Sequence, residues 1–200
     1  MKLQLRRLTK MQEITVDVSK VEDTMLFLKS SLPEEGWIQL YVPRGFVAVI
    51  ISRDGLETVY GEGRKGTLSR GKIEVICFVK KQITVPLGWS IDDISYNNSN
   101  GDRVTSAARG CIYICVQHSR KLAGKLLYSE IVDARSVIKL FSDKLATVIR
   151  ESLKREIPGE YNVEQVQNQI SDNLFNVFND YGLCLERFVI EGHELKNQAR

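Results

Sequence analysis

The chain has 200 residues and is 43% hydrophobic, enough for a packed core and too much for wholesale disorder. Its formal net charge of +3 falls well short of the basic excess that marks a nucleic-acid binder, so nucleic acid is not expected as a partner. The longest apolar runs, Phe46–Ile51 and Val75–Val79, are far below the ~20 residues that span a bilayer.

The first ten residues carry Lys2, Arg6, Arg7 and Lys10 and no acid. As a helix, this segment would set Lys2, Arg6 and Lys10 on one face against Met1, Leu5 and Leu8, the pattern of an interfacial helix drawn to anionic lipid. As a strand, Leu3 and Leu5 would alternate with polar residues; as a tail, the segment would fray. Ile14, Val16 and Val18 alternate like a strand, and Val21 to Leu32 fits helix or strand. Strand-type runs follow at Trp37–Val42 and Phe46–Ser52, with Arg53-Asp54-Gly55 as a hairpin turn and Leu56–Tyr60 as its return. Further strands are expected at Ile73–Val79 and Gln82–Val85, with Asp92-Asp93 beside a turn and an exposed loop over Asn97–Asp102. Gly110–Gln117 is apolar on both faces, which predicts a central strand.

The rest of the chain is helical in pattern. Ser119–Leu127 is a short helix. Asp133 is suited to cap a long helix carrying Val137, Leu140, Phe141, Leu145, Val148, Ile149 and Leu153 on one stripe. Ile157-Pro158-Gly159 ends it. Asn162, with Gln165 three residues on, opens a second helix with Val163, Val166, Ile170, Leu174, Val177, Phe178 and Tyr181 as its stripe. Gly182 stops that helix, and Leu183–Ile190 reads as a strand. Strands first and helices afterwards define an α+β fold: a curved, mostly antiparallel sheet between Trp37 and Val116, then two packed amphipathic helices and a return strand. Phe141, Leu145, Ile149, Ile170, Leu174 and Phe178 are expected in the core.

Few residues suggest chemistry. Gly61-x-Gly63-x-x-Gly66 matches a dinucleotide fingerprint in letters, but another glycine, Gly71, comes before any helical period, so the run reads as a connection between strands. Of four cysteines (Cys77, Cys111, Cys115, Cys184) none forms a CxxC pair, which predicts reduced, buried thiols and a cytoplasmic location. His118 follows Cys115 closely, but residues three apart on a strand point to opposite faces, and further ligands for a metal are missing. The expectation is therefore no catalytic residue, no cofactor and no metal, with an enzyme using Cys115 or His118 as the remote alternative.

The order of features from Leu40 to about Leu195 resembles the SPFH, or band 7, domain of the stomatin, prohibitin and flotillin superfamily, closest to its bacterial virion core protein-like branch. Val42–Ile51 leads into Asp54-Gly55, then Gly61-x-Gly63-Arg64, Cys77-Phe78-Val79-Lys80-Lys81, Leu87-Gly88-Trp89 and Arg109-Gly110-x-x-Tyr113. Asp180-Tyr181-Gly182-Leu183 with Phe188-Val189-Ile190 closes the match as helix, glycine and return strand. Gly88-Trp89 reverses the order usual in that branch, and the membrane hairpin of many members is missing. The resemblance implies a domain organisation of residues 1–35 as an extension or first strands, 36–195 as the SPFH-like domain and 196–200 as a tail. It also implies a non-catalytic scaffold that self-associates, binds other proteins and works in the cytoplasm at or near the inner face of the membrane. Lys2, Arg6, Arg7 and Lys10 are then candidate contacts to anionic lipid. A soluble ligand- or protein-binding adaptor with no membrane role is the main rival reading.

Overall fold

The computed structural model describes residues 11–16, 18, 21, 26–63, 65–81, 84–98, 100–127 and 133–196. The chain divides into two compact units, one of residues 1–81 with 123–132, the other of residues 82–122 with 133–200. The division falls inside the stretch that the sequence reading takes as one domain.

The first unit is built from two small sheets. Strands β1 (Met11–Ile14), β3 (Trp37–Tyr41) and β6 (Lys65–Ser69) form one, in the order β1-β3-β6. Strands β2 (Phe27–Lys29), β4 (Phe46–Ser52), β5 (Glu57–Tyr60) and β7 (Ile73–Lys80) form the other, in the order β2-β7-β4-β5. Ile14, Ile38 and Leu40 from the first sheet share one buried cluster with Phe46, Ala48, Ile50, Ile76 and Phe78 from the second. β4 is buried on both faces, as its unbroken apolar run requires. The β4–β5 turn is the expected Asp-Gly hairpin. Gly55 has φ 80°, its N–H donates to Ser52 O at 2.9 Å, and Ser52 N–H donates to Leu56 O at 3.0 Å.

The second unit holds strands β8 (Val85–Asn97), β9 (Arg103–Val116) and β10 (Leu183–Leu195), ordered β10-β9-β8 and antiparallel throughout. β9 is central, as its two apolar faces predict. The residues of helix α1 (Ser119–Leu126) are divided between the units at Leu122/Ala123, and α2 (Ala134–Lys139), α3 (Ser142–Leu153) and α4 (Val163–Asn179) belong to the second. α4 packs along β10 and against α3. All six core residues expected from the helical stripes are buried, Ile170, Leu174 and Phe178 completely. Among the described residues no helix is long and apolar enough to cross a membrane.

Four expectations need correction. The strands between Trp37 and Val116 do not make one curved sheet. They are shared among three sheets, antiparallel except for the β1–β3 pair. The long helix after Asp133 is two helices. Phe141 leaves helical geometry at φ −127°, ψ 21°, and Ser142 Oγ donates to Lys139 O at 3.1 Å. This break turns Leu140 out to solvent and lets the Phe141 ring meet Phe178 edge-on at 4.9 Å and Tyr181 at 5.4 Å. Val163, assigned to the α4 stripe, is 40% exposed because it opens the helix before the packed turns begin. The side chain of Val137 lies outside those described. Finally, Asp92-Asp93 is not beside a turn but inside β8, where the register slips between Ile91 and Ile94. The bulge lets both carboxylates stay exposed while Ile91 and Ile94 face the core.

The helix caps follow the sequence. Asp133 Oδ1 accepts from Ser136 N–H at 2.8 Å, and Asn162 Oδ1 accepts from Gln165 N–H at 3.1 Å. Gly182 sits at φ 74°, and an added Cβ would lie 2.4 Å from His118 O, so only glycine fits the turn from α4 into β10.

Candidate functional site

The pleat of β8, β9 and β10 sorts their side chains onto two faces. Val85, Leu87, Ile112, Ile114 and Phe188 point one way and are buried on the side where α3 and α4 pack. Cys111, Tyr113 and Cys115 of β9 point the other way, with Cys184 and Val189 of β10 beside them, and all five are partly exposed. This second face is the notable surface of the unit. It contradicts the expectation of four buried thiols, because only Cys77, in the first unit, is fully buried.

Cys115 and Cys184 are register partners across β9 and β10. Cys115 also meets Glu186, whose Oε2 accepts from Thr84 Oγ1 at 2.6 Å. Burial, then the hydrogen bond and negative charge of Glu186, push the Cys115 thiol up to about 12. It is protonated at neutral pH, the opposite of an activated nucleophile. His118 does not join it. That residue lies beyond the end of β9, exposed, with its N–H donating to Gly182 O at 2.9 Å and its carbonyl accepting from Leu122 N–H at 3.0 Å.

On the covered face, Ser106, His193 and Tyr161 form a relay that the sequence reading missed. Ser106 Oγ lies 2.9 Å from His193 Nε2, and Tyr161 Oη lies 3.2 Å from His193 Nδ1. Ser106 Oγ also donates to Ile94 O at 3.4 Å. One assignment satisfies all three groups: Tyr161 donates to Nδ1, Nε2–H donates to Ser106, and Ser106 donates to Ile94. Burial lowers the His193 pKa and keeps the ring neutral, as this assignment requires. The pair has the composition of a hydrolase dyad, but Ser106 is 0% exposed, so no substrate reaches its oxygen. Its role is to tie β9, β10 and the segment before α4 together. A second tie runs from Ile190 N–H to Gln167 Oε1 on α4 at 2.7 Å. Ile190 borders the slip in register before Gly192, where the regular ladder is broken.

A recess of about 240 Å³ opens between the strands, lined by Ser90, Asp92, Ala107, Arg109, Gly192 and Glu194. Arg109 lies over Gly192, where an added Cβ would stand 3.3 Å from its Nε. No helix occurs among the described residues of the glycine-rich run 61–66: Gly63 turns at φ 72° between β5 and β6, and Gly66 is paired with Leu40 within the sheet. Among the described residues no group of three or more histidine, cysteine or acidic side chains could hold a metal ion. Lys2, Arg6, Arg7 and Lys10, the proposed lipid contacts, lie outside the described residues.

No protein-family model matches the sequence, and no curated protein matches it at a significant level.

Proposed function

We propose that this chain is a non-catalytic scaffolding and assembly domain acting at the cytoplasmic surface of a membrane, as its resemblance to the SPFH superfamily implies. The observation that supports the reading is the open face of the β8–β9–β10 sheet, where Cys111, Tyr113 and Val189 remain partly exposed opposite the helix-covered side. Self-association through this face is favoured over pairing at the sheet edges. β8 carries the Asp92-Asp93 bulge, and β10 slips in register at Leu185/Arg187 and Ile190/Gly192, beside Glu186 and Glu191. Bulges and charge on outer strands discourage a further strand from docking. The recess around Arg109 favours the second reading, a soluble adaptor that binds a small ligand or a peptide side chain.

Two measurements separate these readings. Sedimentation velocity over a range of concentrations tests assembly. The expected result is a concentration-dependent dimer that Val189→Lys abolishes without loss of folded signal, and a strictly monomeric chain would reject the scaffold. Co-sedimentation with anionic and neutral vesicles tests the membrane role. Each cation near an anionic surface contributes about 1 kcal/mol, so Lys2, Arg6, Arg7 and Lys10 together would give a reversible, salt-sensitive attachment. Equal pelleting by wild type and by a variant with all four neutralised would leave the adaptor as the better reading.

A further inference from the structure

We propose that Cys115 and Cys184 form a reversible redox pair, closed as a cross-strand disulfide between β9 and β10 by exchange with a low-molecular-weight disulfide. The two residues face each other in register, and Cys184 is among the groups that act on the Cys115 thiol. Gln117 N–H donates to Gly182 O at 3.0 Å just beyond the Val116–Leu183 pair, so the alternation of the ladder makes Cys115–Cys184 a hydrogen-bonded pair. Such pairs have Cα atoms ~5.5 Å apart, inside the window of ~4.4–6.8 Å that a disulfide spans. Their Cβ atoms stand wider than a relaxed disulfide prefers, so closing the bridge draws the strands together and leaves a bond that is readily reduced again. Both thiols are partly exposed and open to a small reagent. Cys111 lies on the same face but four residues along the strand, roughly 13 Å away, beyond bridging distance. Cys77 is buried in the other unit.

The chemistry balances with one oxidant, glutathione disulfide as the probe. Cys184 loses its proton and attacks one sulfur of the reagent. The S–S bond of the reagent breaks, and one glutathione leaves and takes up the proton. Cys115 then gives up its proton and attacks the Cys184 sulfur of the mixed disulfide, releasing the second glutathione. Two protein thiols are oxidised, one reagent disulfide is reduced to two thiols, and no other electron acceptor is needed. Burial and the neighbouring Glu186 hold the Cys115 thiol protonated, so its attack is the step that loss of the Glu186 charge should accelerate.

The folded protein is incubated with glutathione disulfide at mildly alkaline pH, quenched with acid, unfolded and alkylated so that buried Cys77 also reacts, and read by intact mass and peptide mapping. The expected result is a fall from four alkylated thiols to two, with a single cross-linked peptide joining Cys115 to Cys184 that a modest excess of glutathione reopens. Cys115→Ser should halt at a glutathione adduct on Cys184, an adduct that wild type resolves. Glu186→Gln should speed the closing step several-fold, a gain that mere structural damage would not produce. The proposal is overturned if wild type oxidised in the folded state still yields four alkylated thiols after unfolding. It is equally overturned if the adduct persists in wild type as in the variant, or if the cross-link involves Cys111 or Cys77.

Discussion

Gly110 is the position where a single methyl group should do the most harm. It lies on β9 between Trp89 on β8 and Ile190 on β10, and is buried. A Cβ built there would stand 1.9 Å from Val189 O and 2.8 Å from the Trp89 ring. The absent side chain is what allows Trp89 to lie across β9 and stack on Phe188, with centroids 5.0 Å apart and planes 19° from parallel. In Gly110→Ala the ring must leave and the β10 backbone must shift. Overpacking in a core costs about 1–3 kcal/mol, and loss of an aromatic stack a further ~0.5–1.5 kcal/mol. Together they predict a destabilisation of ~2–4 kcal/mol. Gly88→Ala is the control, since the nearest atom to its added Cβ is Gly110 O at 4.0 Å; it should cost under ~1 kcal/mol, the β-propensity scale for such a change. Urea unfolding followed by fluorescence in a Trp37→Phe background makes Trp89 the sole reporter, because the chain has only two tryptophans. Equal midpoints for Gly110→Ala and Gly88→Ala would refute the steric argument.

Three further outcomes follow from the second unit. Phe141→Ala removes a ring held edge-on to Phe178 and should cost ~3–5 kcal/mol in chemical denaturation, with little change expected for the half-exposed Phe175. Trp89→Phe should be nearly neutral, within about 1 kcal/mol. Nε1 of Trp89 is buried with no acceptor among the described residues, so its loss sheds an unpaired donor; a large destabilisation would mean that a partner exists. His193 has its pKa lowered by burial, so the unfolded chain binds its proton at higher pH than the folded one. Its contribution is intact above the ordinary value of 6.5 and is lost as pH falls from there toward the lowered folded pKa. Thermal unfolding of wild type should weaken over that window, while His193→Gln should be less stable at neutral pH and flatter below it; identical pH profiles would contradict the relay.

Local pattern carried much of the architecture. β4, the Asp54-Gly55 turn, the caps at Asp133 and Asn162, the six core positions and the glycine stop at Gly182 each depend on neighbours in sequence, and each is where the residues indicate. The features that pattern could not reach depend on pairing over distance. β8 extends to Asn97 because β9 offers a partner as far as Arg103, and a bulge accommodates two aspartates that local reasoning assigns to a turn. The Cys115–Cys184 pair and the Ser106–His193–Tyr161 relay both require β9 to lie beside β10, and nothing in the intervening residues states that register. The break at Phe141 is likewise a tertiary effect, driven by aromatic neighbours nearly forty residues away.

The pairing of β9 with β10 also bears on how the chain is made. β8 and β9 are neighbours in sequence and can form a hairpin as soon as both have left the ribosome. β10 lies beyond all of α1 to α4, so one edge of β9, whose second half is apolar on both faces, waits unpaired through the synthesis of all four helices. During that interval the newborn chain displays a long, sticky template of the kind that recruits other unfinished chains. Chains released before Leu183 should therefore be prone to aggregate. The bulges and acids that guard the outer strands of the finished sheet offer no protection to β9 at that stage, which makes this strand the point where chaperone capture would matter most.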